Sequence, residues 1–456
     1  MLLMDFTELH LFLYDCKKKY GPIFTVWLPS PTVVFADYDT FVESLVTKGE
    51  DFAGRNLNFP DSFLHESPDV GLMFTEGKAW RDQRRLAIHF LKDLGMGKNI
   101  MEEKILSAID DTIKHIDSLR DNENIDIGKI LHLTVGNVIT LMLFGYMHKY
   151  EDSKKFYQYV DVFDKFLLQM TNWHFKLLTC CPNLAKIPII GEMIRGQYFK
   201  NTREIRKLTI EQINECKKIY NFNDEPQNLV HAVLKEIQTA NSPYSYLTDR
   251  HIEGIVEDLW ITGMETSTST MKWLILLTMK YPDYQRRIQE EIDSVVGRDN
   301  EVRMKHKKDL PLLSAFIYEG QRYANILILG INHKCTKDNY IGGYLIKKDT
   351  RIGLFSYALN LDEQFFKNPR SFNPERYLEE DGRTLNKSLI EKNLIFGAGK
   401  RQCAGESLAK MEIFLILANL LQKYTFSHDH ASIDMEPQFC SLLLPKPYHC
   451  KMEKRI

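Results

Sequence analysis

Two groups of residues in this chain have types and spacing suited to chemistry: a cysteine in a glycine-rich loop, and an acid beside an alcohol in a long helical stretch. Cys403 closes the run Phe396-Gly397-Ala398-Gly399-Lys400-Arg401-Gln402-Cys403. The glycines free the backbone for tight, partly left-handed turns. Residues 404–414 carry helical periodicity, so the thiol is predicted at a helix N-terminus. There the unpaired N–H groups, the positive dipole end and the charges of Lys400 and Arg401 should promote ionisation. An ionised cysteine serves as nucleophile, redox thiol or metal ligand. No second cysteine stands within a few residues of it, and no Cys-x-x-Cys pair occurs. A single thiolate ligand or a nucleophile remains.

The second group is Gly263, Glu265 and Thr266, followed by Ser267, Thr268, Ser269 and Thr270. It lies inside a helix predicted from the N-cap candidate Thr248 to the residues before Pro282. At about 1.5 Å per residue this helix would be nearly 50 Å long and cross the whole domain. Consecutive hydroxyl residues are poor helix formers and require a reason. The Thr266 hydroxyl can take over a carbonyl and part the ladder, while Gly263 should open space beside the backbone.

The elements that must position these groups read as follows. Residues 5–19 form a first helix, 23–28 and 32–36 a hairpin, and 39–48 another helix. Residues 51–77 are irregular yet carry Phe52, Phe59, Phe63 and Phe74, which suits a long loop that covers something. Trp80 and Arg84 share one face of the helix that follows. Further helices are expected over 282–296 and 312–324, the latter with Glu319 and Arg322 three apart. Residues 326–330 form an apolar strand, and 343–346 and 350–355 a hairpin turning at Asp349.

The 456 residues are 44% apolar, with no linker, repeat or low-complexity tract, so residues 1–456 form a single domain. Lys and Arg number 59 against 61 acids, a net charge of -2 that argues against nucleic acid as a partner. Eight unevenly spaced cysteines indicate a reducing compartment. No apolar run is long enough to span a membrane, the nearest lying at 138–144 and 274–279, and the N-terminus lacks the pattern of a signal peptide.

The spacing Phe-x-x-Gly-x-Arg-x-Cys-x-Gly of residues 396–405 resembles the haem-binding loop of the cytochrome P450 family. The family's other landmarks follow in order over nearly the whole chain: Trp80-x-x-x-Arg84, Gly263-x-Glu265-Thr266, Glu319-x-x-Arg322 and Arg376. The resemblance implies a mainly α fold with small β-sheets, with haem b between a long central helix and the helix after the cysteine loop. Cys403 would be the axial iron ligand, its thiolate favouring O–O cleavage. Arg401, Trp80, Arg84 and His333 would meet the haem propionates, and Phe396 would shield the sulfur. Glu265 and Thr266 would organise water for proton delivery. Glu319, Arg322 and Arg376 would form a buried triad that locks the loop before the cysteine. Residues 151–245 would hold roof helices that open for substrate, and 440–445 a further pocket loop. Thr262 stands where the family has Ala or Gly, and Asn332 where it has Pro.

The implied activity is a haem-thiolate monooxygenase that inserts one atom of O2 into a small lipophilic substrate. Electrons would come from NADPH through a separate cytochrome reductase docking on Arg81, Arg85, Lys400 and Lys410, with cytochrome b5 as a further partner. The pattern is most similar to microsomal members, on the cytoplasmic face of the endoplasmic reticulum membrane, although their anchor and proline-rich hinge are absent from this sequence. The alternatives are a haem-thiolate isomerase, which needs no reductase, and a haem-binding protein without turnover.

Overall fold

A computed structural model describes residues 8–27, 30–57, 64–97, 99–120, 122–169, 177, 181, 183–184, 187–428, 433–440 and 442–455. Phe59, Phe63, Ser441 and residues 5–7, 28 and 29 of the sequence reading lie outside them. The organising element is the helix Asp249–Lys280, 32 residues long and buried along nearly its whole length. It starts where predicted: Thr248 forms a capping box with His251, and Pro282 opens the next helix, Pro282–Val295. Around this central helix pack Ile127–Phe144, Lys200–Ile219, Pro311–Ala324 and Glu406–Lys423.

Gly263 serves this packing rather than opening a groove, contrary to expectation. A Cβ there would stand 2.8 Å from Ile139 Cδ1, so glycine lets the helix Ile127–Phe144 approach closely. That helix is 18 residues long and apolar enough to cross a membrane, longer than the 138–144 run recognised in the sequence. Its window is 83% buried by the rest of the protein, which is the environment of a core helix.

The predicted N-terminal hairpin is present: β1 (Ile23–Trp27) pairs antiparallel with β2 (Pro31–Phe35). The helix before it runs Leu9–Tyr20, and after it Tyr38–Val42 continues as a π-helix over Glu43–Thr47. The four-stranded sheet has the order β1-β2-β6-β3, with β3 at His333–Lys334 and β6 at Arg351–Leu354. Two expectations fail here. The strand Tyr344–Ile346, β5, pairs with β4 (Asn339–Ile341) rather than with β6, which joins β2 in parallel. Residues 326–330 form no strand. Their backbone is instead held singly, Ile326 accepting from Leu443 N at 2.8 Å and Gly330 donating to Leu354 O at 2.9 Å. Neither register nor partner is legible in an apolar run alone. Asp349 does take the left-handed turn, with φ 64°.

Candidate functional site

The cysteine loop is shaped by contact with the first hundred residues. Gly397 and Gly399 have φ of 69° and 67°, and a Cβ on Gly399 would lie 1.7 Å from the Leu45 carbonyl oxygen. Only glycine allows the loop to press on the π-helix in this way. Cys403 N donates to Phe396 O at 2.9 Å, closing the turn. The helix begins at Glu406 with Gly405 as its cap, so the sulfur stands ahead of the first turn rather than in it.

The expected ionisation of the free thiol is not supported. Lys400 pairs with Glu50 at 3.0 Å, and Arg401 turns away to donate to Ala53 O at 2.9 Å and Thr75 O at 2.7 Å. Burial pushes the Cys403 thiol up, and the Gly405 N–H and Arg84 offset only part of this while Glu406 adds to it. The loop prepares a ligand whose proton is displaced by a metal cation, not by neighbouring side chains.

Beside it three arginines converge. The Arg401 guanidinium lies 3.7 Å over the Trp80 ring and Arg84 lies 5.9 Å from it. Arg84 also donates to the Gln402 carbonyl, so the Trp80–Arg84 pair does meet the cysteine loop. Arg55, which no sequence motif marks, donates to Met73 O at 2.9 Å and Asn332 O at 3.0 Å. Burial, then Arg55 and Arg84, pulls Arg401 down to about 8. Burial and Arg84 pull Arg55 down to about 9. A guanidinium does not give up its proton in a protein, so this penalty is a demand for anionic charge. Glu76 meets it in part, but Lys334 at 2.8 Å already engages that carboxylate. His333 donates from Nδ1 to Phe52 O at 2.6 Å and is held neutral by burial and by Arg55.

Among the described residues, Arg401 Nη1 and Trp80 Nε1 are buried without a hydrogen-bond partner. A cleft of about 490 Å³ opens against Ala53, Gly54, Glu76, Trp80 and Lys334. Two orphaned donors and an excess of cations next to a single thiol fit a planar metal group that carries two carboxylates, which is what haem is. Cys403 would ligate it, and Arg401 and Trp80 would meet its propionates, with Arg55 adding charge.

On the central helix, Thr262, Gly263 and Thr266 are partly accessible while residues 264, 265 and 267–270 are buried. The hydroxyls bond backwards, Thr266 to Thr262 O and Thr262 to Asp258 O, each at 2.6 Å. The helix therefore stays unbroken, and the Thr262 hydroxyl is occupied in its own backbone. Glu265 faces the other way, accepting from Ser269 at 2.7 Å and lying 3.2 Å from His132 Nε2. Burial disfavours its charge, but His132, Lys272 and Ser269 together hold the carboxyl below its ordinary range. His132 carries no sequence signal, since its partner is 133 residues away.

The expected triad is complete and buried. Arg322 bonds both Glu319 oxygens at 2.8 Å, and Arg376 Nε lies 3.1 Å from Glu319 Oε2. Trp273 Nε1 donates to Leu443 O at 2.9 Å, setting the 440–445 loop against the central helix.

Comparison with known proteins agrees with this geometry. The cytochrome P450 family model matches residues 1–452. The chain is 32% identical to cytochrome P450 2H1 of Gallus gallus over 95% of this chain and 87% of that protein. It is 31% identical to cytochrome P450 2K6 of Danio rerio over 99% and 89%, and 30% identical to the probable cytochrome P450 CYP36A1 of Caenorhabditis elegans over 98% and 91%. With the family model matching across the chain and relatives at 30% identity or more covered over most of their length, this protein belongs to the cytochrome P450 family and is a haem-thiolate monooxygenase.

Proposed function

We propose that the protein oxygenates a small lipophilic molecule with electrons from a separate NADPH-dependent reductase, at the cytoplasmic face of the endoplasmic reticulum membrane. The observation that carries the oxygenation chemistry is the Thr266 hydroxyl on the accessible face of the central helix, one residue from an ionised Glu265. Haem bound at Cys403 supplies the iron at which O2 is reduced and one oxygen atom made transferable. The chain's own share is protonic and electrostatic.

Thr266 spends its hydrogen on Thr262 O, which leaves its oxygen lone pairs to accept from a water. A water held there would be the group that gives a proton at this face. Glu265 is held on the opposite side by His132 and Ser269, so it is not the direct donor and acts at this face only as a buried negative charge one residue away. An isomerase needs no delivered proton, and this arrangement favours the monooxygenase over it.

The reductase reading is supported by a cleft of about 460 Å³ lined by Arg81, Arg84, Arg85, His89, Lys92 and Lys400. Arg81 and Arg85 are exposed, and an acidic partner would be steered there. Lys400 and Lys410, both expected in this group, are already paired, with Glu50 at 3.0 Å and Glu406 at 2.6 Å, and Glu50 lines the same cleft, so the docking charge falls to Arg81 and Arg85. The endoplasmic reticulum placement rests on likeness to relatives of microsomal type.

The test is the reduced carbon monoxide difference spectrum of the purified protein, followed by product formation with NADPH, reductase and O2 across a lipophilic panel. A thiolate-type band with O2-dependent product is expected. A thiolate-type band with no product under any of these conditions would favour a haem-binding protein without turnover.

A further inference from the structure

A second cluster of buried charge lies one helical turn before Thr262. The His65 ring is clamped between two carboxylates of the central helix, with Nδ1 2.9 Å from Glu257 and Nε2 2.8 Å from Asp258. All three side chains are 2% exposed. Both nitrogens face acceptors, so both carry hydrogen and the ring is an imidazolium. Asp258 also accepts from Leu72 N, and from Met73 N at 3.0 Å. Gly71 is pressed into the same knot: a Cβ there would stand 2.5 Å from His65 Nε2 and 2.6 Å from Asp258 Oδ2.

The knot ties several elements together. Arg206, on the helix Lys200–Ile219, donates to Leu64 O at 3.2 Å and lies 3.7 Å from Glu257. With Arg203 it also binds Glu66, at 3.4 and 2.6 Å. Arg250 donates to His65 O at 2.6 Å. Gln83, three residues after Trp80, accepts from Gly71 N at 3.0 Å and donates to Asp69 O at 2.7 Å. The Asp258 carbonyl in turn receives the Thr262 hydroxyl, and the Thr262 carbonyl that of Thr266.

We infer that His65, gripped by Glu257 and Asp258, is a positioning residue for substrate admission: it clasps the 64–73 segment and the helix Lys200–Ile219 onto the central helix beside the open Thr262–Thr266 face, and so sets how fast a lipophilic molecule comes and goes there. The inference rests on the reading that such molecules bind at this face. Burial works against the charged ring, but Asp258 and Glu257 hold it up to about 9. A raised histidine stabilises the fold fully below its ordinary value near 6.5 and loses that contribution as pH climbs through its folded value. The clasp is thus closed at neutral pH and slackens near pH 9.

The other charged or titratable groups facing it are Arg250, Glu253 and His251 on the central helix, Arg203 and Arg206 opposite, Tyr159 on Lys154–Gln169, and Glu66 and Asp69 on the segment. Arg203 holds the Glu66 carboxyl low and Ser67 that of Asp69, both far from pH 9. Burial pushes the Tyr159 phenol up and the His251 ring down, away from that window.

The experiment uses haem-loaded protein, with phenylimidazole binding followed by stopped-flow in the Soret region and amide hydrogen exchange on the same samples. His65→Gln is expected to raise association and dissociation rates together by about tenfold, the equivalent of ~1.4 kcal/mol in the barrier. Faster exchange should be confined to 64–73 and the start of Lys200–Ile219. Glu257→Gln, which keeps the Asp258 contact, should give a smaller change of the same kind, and the unaltered protein should reach variant-like rates as pH passes about 9. Unchanged rates in both variants overturn the clasp, as does faster exchange spread equally to Asn99–Ser118. Failure of the unaltered protein to bind phenylimidazole or to show a thiolate-type band overturns the functional reading itself.

Discussion

Replacing Glu319 with Gln would test whether the triad is a structural lock. The carboxylate is fully buried and accepts from Arg322 Nε and NH2, each at 2.8 Å, and from Asn373 N at 2.9 Å, with Arg376 Nε 3.1 Å away. Arg322 also carries Asn360 O at 2.7 Å and Pro369 O at 2.8 Å. Arg376 Nη1 donates to Lys367 O at 2.7 Å. Glutamine keeps the volume, so no cavity complicates the result, but it leaves two guanidiniums without a counter-charge and turns an amide N–H toward other donors. Stranding charge in this way costs about 3 to 5 kcal/mol, against about 5 to 15 kcal/mol holding a typical domain together. Urea unfolding followed by tryptophan fluorescence, with haem retention read alongside, should show that loss. The control is Arg287→Gln, whose 2.7 Å pair with Glu375 is half exposed and should change stability by less than about 1 kcal/mol. If Glu319→Gln also stays within about 1 kcal/mol of the unaltered protein, the triad is not a lock.

Thr266→Ala should leave haem binding intact while diverting electrons from product into peroxide, read as the ratio of product to NADPH consumed; an unchanged ratio removes the proton role given to Thr266. Arg401→Met should weaken haem binding about tenfold to a hundredfold, the scale of one charged hydrogen bond, measured by haem transfer to an apoglobin. It should stabilise the haem-free protein by removing a buried guanidinium and, with it, the repulsion from Arg55 and Arg84. Burial pushes the Glu412 carboxyl up to about 8, against the pull of Ser267. A carboxyl raised in the fold favours folding below its ordinary value near 4.5 and loses that contribution up to its folded value. Stability should therefore fall between about pH 4.5 and 8 in the unaltered protein, and Glu412→Gln should flatten the profile across that window.

The sequence by itself determined whatever local chemistry dictates. The bounds of the central helix were legible because Thr248 and Pro282 mark them, and the Cys403 loop through its resemblance to the family's haem-binding loop, its left-handed turns falling on Gly397 and Gly399 but not on Gly405. Glu319, Arg322 and Arg376 were legible through their resemblance to a known family, and the structure joins them as expected. Only the tertiary structure decided what depends on partners distant in the chain. Arg55 joins Arg401, His132 meets Glu265 and His65 meets Asp258 across separations that no spacing rule spans. The charge of Cys403 was misjudged for the same reason, since burial by the folded chain pushes the thiol up, while Glu50, Ala53 and Thr75 engage Lys400 and Arg401. Gly263 was misread because a glycine gives space, and which neighbour fills it is settled by packing, here by Ile139.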